Sequence, residues 1–247
     1  MNRVVSRPPV LSATGGTSWV LIGAAHVVDL AAPLRAALAG RALDGVALEL
    51  DAERASTLFA PPGAPRRMAG APLFARLWGI LQRRLGASLG GGLPGAEMRA
   101  AWAVARERNL PVFLIDDPIR MTLMNLVRSM PLKERVTLLF GSVAGLFVPS
   151  RVVAGEMERY VDSPEAYVEE LRKVSPTIAR VLLDDRNEHM AERLTSLRAH
   201  GVARLAVIVG DAHVAGLRAA LARRGIEVES IPFEVLRGVT APSSKTS

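Results

Sequence analysis

The chain has no cysteine in its 247 residues. Disulfides, thiolate metal sites and a cysteine nucleophile are excluded together. Aromatic residues make up 4% of it, so its core has to be assembled mainly from Ala, Leu and Val. Histidine is scarcer still, with His26, His189, His200 and His213 the only four. No apolar run approaches the ~20 residues needed to cross a bilayer, and the opening Met-Asn-Arg-Val-Val-Ser-Arg-Pro-Pro lacks the apolar stretch of a secretory signal. The expectation is a cytoplasmic protein with no integral membrane segment. Neither a Walker A loop nor a G-x-G-x-x-G turn occurs, and the glycines of residues 86–95 lack the strand-loop-helix setting of a phosphate cradle.

What is present describes a folded α/β protein. Apolar residues make up 49% of the chain, far from a disordered composition. The formal charge of +7 comes almost wholly from Arg, since Lys133, Lys173 and Lys245 are the only lysines. These arginines are spread out, with short clusters such as Arg66-Arg67, Arg83-Arg84 and Arg223-Arg224. No RRM, KH or zinc-finger pattern accompanies them, so a basic surface without a nucleic-acid partner is expected. The length suits one domain over residues 1–241, followed by a disordered Ser/Thr/Pro tail at 242–247.

Hydrophobic patterning predicts strands at Trp19–Gly23, Val46–Leu50, Val112–Ile115, Val202–Val209 and Glu227–Phe233. Helices are expected from about Pro33 to Gly40, at Leu73–Leu85, Ala96–Asn109, Ile119–Met130, Leu132–Phe140, Pro164–Lys173, Thr177–Leu197 and Leu217–Arg224. Pro164 suits a first helical turn, and Glu165, Glu169 and Glu170 complement its positive end. Residues 61–72 read as loop. Leu73–Leu85 is amphipathic with a basic face, and would sit at the symmetry interface of a homodimer. The glycines of 86–95 read as a mobile lid or linker. Strands alternating with helices give a central, mostly parallel sheet with helices on both faces.

Two segments repeat one device. Gly23-Ala24-Ala25-His26 and Gly210-Asp211-Ala212-His213 each follow an apolar strand, which places both histidines at the carboxyl edge of the sheet, where open α/β sheets hold their ligands. Glu49, near the end of the second strand, reaches the same edge. Two neutral imidazoles and a carboxylate are a metal-ligating set that leaves a position for water. A metal-activated water would hydrolyse a substrate, with Glu97 or Glu188 moving the proton and Arg120 or Arg186 stabilising developing negative charge. Plainer roles compete. Glu49 in an apolar strand needs a cationic partner, for which Arg54 and Arg186 are candidates. Glu97, Asp116 and Asp117 suit helix caps, with Pro118 in a first turn. The Asp184-Asp185-Arg186-Asn187-Glu188 run suits an exposed face, and His200 beside Gly201 suits a turn.

Six segments in order carry a resemblance: Gly23-Ala-Ala-His-Val, Val46-Ala-Leu-Glu-Leu-Asp with Arg54, Pro94-Gly-Ala-Glu-Met-Arg-Ala-Ala, Leu114-Ile-Asp-Asp-Pro-Ile-Arg-Met-Thr-Leu, Leu182-Leu-Asp-Asp-Arg-Asn-Glu-His-Met-Ala and Val209-Gly-Asp-Ala-His-Val. Together, over residues 18–235, they resemble the TraB/PrgY pheromone-shutdown family, a group related to the Tiki metalloproteases. The resemblance implies an erythromycin-esterase-like or ChaN-like α/β fold and a divalent metal (Mn, Fe, Co or Zn) at His26, Glu49 and His213. It matches Glu97 to the family's acidic position ahead of the central helix, and Arg54, Arg120 and Arg186 to its basic positions. The implied activity is a metal-dependent hydrolase acting on short peptides, peptide N-termini or another small molecule. The alternative is a non-catalytic module that binds a peptide or an anionic ligand. Two positions depart from the family pattern: Ala24 replaces a Thr, and Asp116-Asp117 replaces an Asp-Arg pair. Many microbial members continue into transmembrane helices, so this chain is expected to be a soluble version or an excised domain.

Overall fold

The computed structural model describes residues 18–24, 30–60, 95–135 and 164–238. The expected helix at Leu73–Leu85, the loop at 61–72, most of the glycine-rich 86–95 segment, most of the Leu132–Phe140 helix and the 242–247 tail lie outside them. Among the described residues five strands form one sheet: β1 (Ser18–Ala24), β2 (Gly45–Leu48), β3 (Val112–Leu114), β4 (Arg204–Gly210) and β5 (Glu229–Ile231). Their order across the sheet is β3-β2-β4-β1-β5, and every described pairing is parallel. Parallel strands need crossover connections, and helices supply them. The helices among the described residues are α1 (Ala31–Leu38), α2 (Ala52–Leu58), α3 (Ala96–Glu107), α4 (Ile119–Ser129), α5 (Pro164–Val174), α6 (Pro176–Ala179), α7 (Asp185–Ala199), α8 (Asp211–Ala222) and, after the last strand, α9 (Phe233–Gly238).

Strand alternation sorts the apolar residues into two layers. Val20, Ile22, Val46, Leu48, Ala206 and Ile208 face one way, against Leu34 and Leu38 of α1, Ala101 and Val104 of α3, and Leu236 of α9. Trp19, Leu21, Ala47, Phe113, Val207 and Val209 face the other way, against Met190 and Leu194 of α7 and Leu217 and Leu221 of α8. With both faces covered, β1 and β4 are buried along almost their whole length. That is why they read as continuous apolar runs rather than as alternating ones. The architecture is an α/β fold with a parallel central sheet between helices.

Several boundaries differ from expectation, each for a local reason. The run expected as one helix at Thr177–Leu197 begins with Pro176 and passes through a π-helical turn at Arg180–Asp184 before α7. The helix after β4 starts at Asp211, immediately beyond the strand, so His213 lies on its first turn and not in a preceding loop. The last strand is cut to three residues at Ile231. Pro232 cannot donate to a ladder, and the next N–H, that of Phe233, bonds to Asp211 Oδ1 at 2.9 Å and opens α9. Helix α2 was not expected. Asp51 caps it, its Oδ1 accepting from the Arg54 N–H at 2.9 Å. The N-cap position of α4 is held by Pro118 and not by Asp116 or Asp117, and that of α3 by Gly95, with Glu97 two residues on in the first turn.

Candidate functional site

The carboxyl ends of β3, β2, β4 and β1 stand side by side, and the first three contribute to one cluster. Gly23 of β1 lies opposite Val209 and Ala24 opposite Gly210. The two G-x-x-H segments therefore leave neighbouring strands one residue out of register. Beside them, the Leu50 N–H folds back on the Leu48 carbonyl at 2.7 Å, turning the chain so that Glu49 stands at the end of β2. Glu49 is tied to β4 through both backbone and side chain: its N–H donates to the Ile208 carbonyl at 3.1 Å, and its Oε2 accepts from the Gly210 N–H at 2.7 Å. Asp116 follows β3, and the Asp117 N–H donates to its Oδ1 at 2.8 Å.

The lid over this row is the first turn of α7, which supplies Arg186. Its Nη2 donates to Glu49 Oε1 and, at 2.6 Å, to Asp116 Oδ2. Its Nε donates to Asp116 Oδ1 at 3.1 Å, giving the fork that only a guanidinium makes with a carboxylate. Nη1 donates to the Leu182 carbonyl in the π turn and to His213 Nε2, both at 3.1 Å. Arg54 extends the network outward, bonding Asp116 Oδ2 and Asp51 Oδ2, the latter at 2.6 Å. Glu49, Asp51, Asp116 and His213 are all buried, and burial of this kind requires pairing.

These contacts set the charge states. Burial alone would push the Asp116 carboxyl up, but the hydrogen bond and charge of Arg186, with Arg54 beside it, outweigh that and hold it below the usual carboxylate range. Burial would likewise lower Arg186, and Glu49 and Asp116 reverse the effect and keep the guanidinium charged. His213 is assigned by elimination. Arg186 Nη1 can only donate, so His213 Nε2 accepts, and the ring proton sits on Nδ1, which donates to Asn187 Oδ1 at 2.8 Å. His213 Nε2 and Glu49 Oε1 are 3.4 Å apart.

Of the residues singled out from the sequence, the structure brings Glu49, Arg186 and His213 together. His26 lies outside the described residues. Glu97 is buried on the first turn of α3. Arg120 is exposed and pairs with Glu53 at 2.9 Å. Glu188 points to the outer surface, where Arg223 and Arg224 bind it. Sequence reasoning missed three members of the cluster, among them Asp116, whose sequence reading is a helix cap. Asp51 was recognisable from the cap position it holds before Arg54, and Asn187 from its place beside Arg186. Asp117, which replaces the Arg of the family pattern, contacts His189 Nε2 at 2.9 Å.

A match to the TraB/PrgY/gumN family covers residues 10–230. The chain belongs to that family. It is also similar to an uncharacterized protein of Methanocaldococcus jannaschii, 30% identical over 206 residues that make up 80% of this chain and 51% of the relative. This family member thus spans about half the length of the curated relative it matches. No solved structure matches it. Among the described residues, no helix is long and apolar enough to cross a membrane, and no three His, Asp or Glu side chains form a group that could hold a metal ion. The Arg186 guanidinium bonds to the faces of Glu49, Asp116 and His213 through which they would ligate a cation. As they stand, the described donors do not fit a metal.

Proposed function

We propose that this TraB/PrgY/gumN family member is a ligand-binding domain that takes the amino terminus of a short peptide at the carboxyl edge of its sheet. The observation that supports this most directly is the buried cluster of Glu49, Asp51 and Asp116 around Arg54 and Arg186. Among the described residues three carboxylates meet two guanidiniums, with His213 a neutral acceptor. A surplus of buried negative charge attracts a cationic ligand and repels an anionic one, which favours a peptide ammonium over an anionic ligand. The position at the ends of parallel strands is where such sheets bind ligands. The erythromycin-esterase-like or ChaN-like arrangement implied by the sequence resemblance is compatible with the parallel sheet.

The hydrolase reading makes a different demand. A metal held by His26, Glu49 and His213 would require Arg186 to leave its present bonds. One experiment separates the two readings. Short peptides with free or acetylated amino termini are titrated calorimetrically into the protein, with and without Mn, Fe, Co or Zn, and the recovered peptides are examined by mass spectrometry. The expected result is binding without added metal, weakened at least tenfold by acetylation, with the peptide recovered intact. Metal-dependent cleavage would move the assignment to a peptidase of the kind the Tiki resemblance implies. Equal binding of acetylated peptides would remove the amino terminus as the recognised group.

A further inference from the structure

Helix α4 is apolar on two faces, and the described fold uses one of them. Leu126 and Met130 pack against Val181. On another side Met121, Met124 and Val127 follow at intervals of three residues, which sets them along one stripe of the helix. They are 54%, 47% and 57% exposed, and Leu132, just beyond the helix, is 76% exposed. Single apolar residues at a surface are ordinary. Here four of the six large apolar side chains that the described residues expose fall between Met121 and Leu132, and such concentration marks a surface that meets another apolar phase.

The charge around this face is of one sign. From Pro118 to Gly155 the sequence holds Arg120, Arg128, Lys133, Arg135 and Arg151 against a single acid, Glu134. That acid is turned inward, where its Oε1 accepts from the Thr177 hydroxyl at 2.8 Å and its Oε2 from the Ser175 hydroxyl. Arg135 folds over the end of α4, its Nε and Nη2 donating to the Met130 and Val127 carbonyls at 3.0 and 2.6 Å. Carbonyls that a helix end would otherwise leave open to water are thereby satisfied within the chain. Arg128, one turn after Met124 and in the last turn of α4, has no acidic partner among the described residues.

We propose that this face of α4 docks on the surface of an anionic lipid bilayer, with Met121, Met124, Val127 and Leu132 entering the boundary between headgroups and acyl chains and Arg128 bound to a lipid phosphate. An apolar stripe edged by cations is what such a surface attracts, and a guanidinium suits a phosphate. A second copy of the chain is a poorer occupant, because a two-fold axis would set the same unbalanced cations against each other. The sequence leaving this surface has matching character. Residues 136–150 carry no charged side chain and fall short of the ~20 residues that span a bilayer, so they offer it apolar contact and not a crossing. Helix α4 opens beside the ionic cluster, where the Ile119 N–H faces Asp51 Oδ2 at 3.4 Å. Docking by α4 therefore brings the carboxyl edge of the sheet to the membrane, whatever ligand that edge takes.

The test is sedimentation of the intact chain with vesicles of neutral phosphatidylcholine, and with vesicles that also contain phosphatidylglycerol, at rising salt. The expected result is binding to the anionic vesicles alone, falling as salt screens the surface. Met124→Asp should weaken it at least about tenfold and Arg128→Gln about fivefold. Val235→Ser, which changes an exposed apolar residue on α9, should leave it unchanged. Because Met124 and Arg128 are exposed, both variants should unfold in urea as the native chain does. Equal binding to neutral and anionic vesicles, or binding that Met124→Asp leaves intact, overturns docking by α4. A chain that sediments with neither vesicle overturns it as well, and two further readings then say what covers the face. A concentration-dependent dimer dispersed by Met124→Asp assigns it to a second copy. A Met124→Asp chain that is monomeric but less stable in urea assigns it to the chain's own remaining residues.

Discussion

Arg186 is the residue on which the site turns. It is the shared partner of Glu49 and Asp116, and it faces His213. The energetics of buried pairs are asymmetric: forming one is close to neutral against a hydrophobic alternative, whereas removing one partner leaves an uncompensated charge and costs about 3–5 kcal/mol. Arg186→Met is therefore expected to lower the unfolding free energy by about that amount in urea at neutral pH. Arg186→Lys should recover only part of it, because an ammonium cannot reproduce the fork on Asp116. A loss within ~1 kcal/mol for Arg186→Met would show that the carboxylates find other partners. Glu188→Ala and Arg120→Ala provide the contrast. Arg120→Ala breaks one ion pair at the surface and Glu188→Ala two, where such pairs contribute roughly 0–1 kcal/mol each. From sequence, Arg186 and Glu188 stand two positions apart in one charged run and look alike. What separates them is helix geometry, since residues i and i+2 face different directions on α7.

Between strand and helix, the two G-x-x-H segments do different work. In the second, Asp211 caps α9 through the Phe233 N–H, and the first accommodates it: a Cβ on Gly23 would overlap Asp211 Oδ1 and come within 2.9 Å of Val214 Cγ2. Gly23 is thus required by close approach and not by a positive φ. Gly23→Ala is expected to destabilise the fold by about 1–3 kcal/mol. In an Asp211→Ala background the same substitution should cost less, because the overlapping oxygen has gone. A double-mutant cycle in denaturant measures this coupling, and strict additivity would rule out the Gly23–Asp211 clash. The matched strand ends were legible in the sequence because both β1 and β4 are buried apolar runs closed by glycine. The start of α8 was not, since its apolar periodicity begins only at Val214 and the Gly-Asp before it reads as a turn. The acidic residue in that first turn was the available signal. The π turn before α7 was equally hidden. It adds one residue to an otherwise helical run without changing the residue types used, and it is set by packing: Val181 belongs to a small cluster with Leu126 and Met130, while Met190 and Leu194 belong to the sheet.

The whole molecule carries a formal charge of +7, yet among the described residues the buried ionic cluster around Arg186 has more carboxylates than guanidiniums. Net charge and local charge answer different questions, the first about solubility and association, the second about what the site admits. Sequence reasoning reached the sheet, its parallel sense and the edge that holds the cluster. It left the partner of Glu49 open between Arg54 and Arg186, because that choice depends on where α7 crosses the sheet. Acid sensitivity follows from the same cluster. Asp116, Asp44, Glu188 and Glu229 all have carboxyls held below their ordinary range. For each, burial acts in the opposite direction and is outweighed by bonds and charge from arginines: Arg186 and Arg54, Arg204, Arg224 with Arg223, and Arg41 respectively. A carboxyl depressed in the folded state contributes stability above its unfolded value of about 4 and loses it as pH falls through the folded value. Glu188 and Glu229 are exposed, and Asp44 is paired with an exposed Arg204, so solvent screens these three pairs more than the buried Asp116 cluster and Asp116 should dominate. Unfolding free energy, measured by denaturant at several pH values, is expected to stay nearly level from about pH 7 to 5 and to fall below about pH 4. Arg186 adds nothing to that slope, because its pKa is raised and it remains charged throughout. Acid also increases the net positive charge and its self-repulsion, which acts in the same direction, so the slope alone does not identify the residue. Asp116→Asn does. It is less stable at neutral pH because Arg186 loses an ionic partner, and its curve should fall less steeply in acid, converging on that of the native chain near pH 3. Parallel curves for the two proteins would mean that the acid sensitivity belongs to general charge repulsion and not to the Asp116–Arg186 pair.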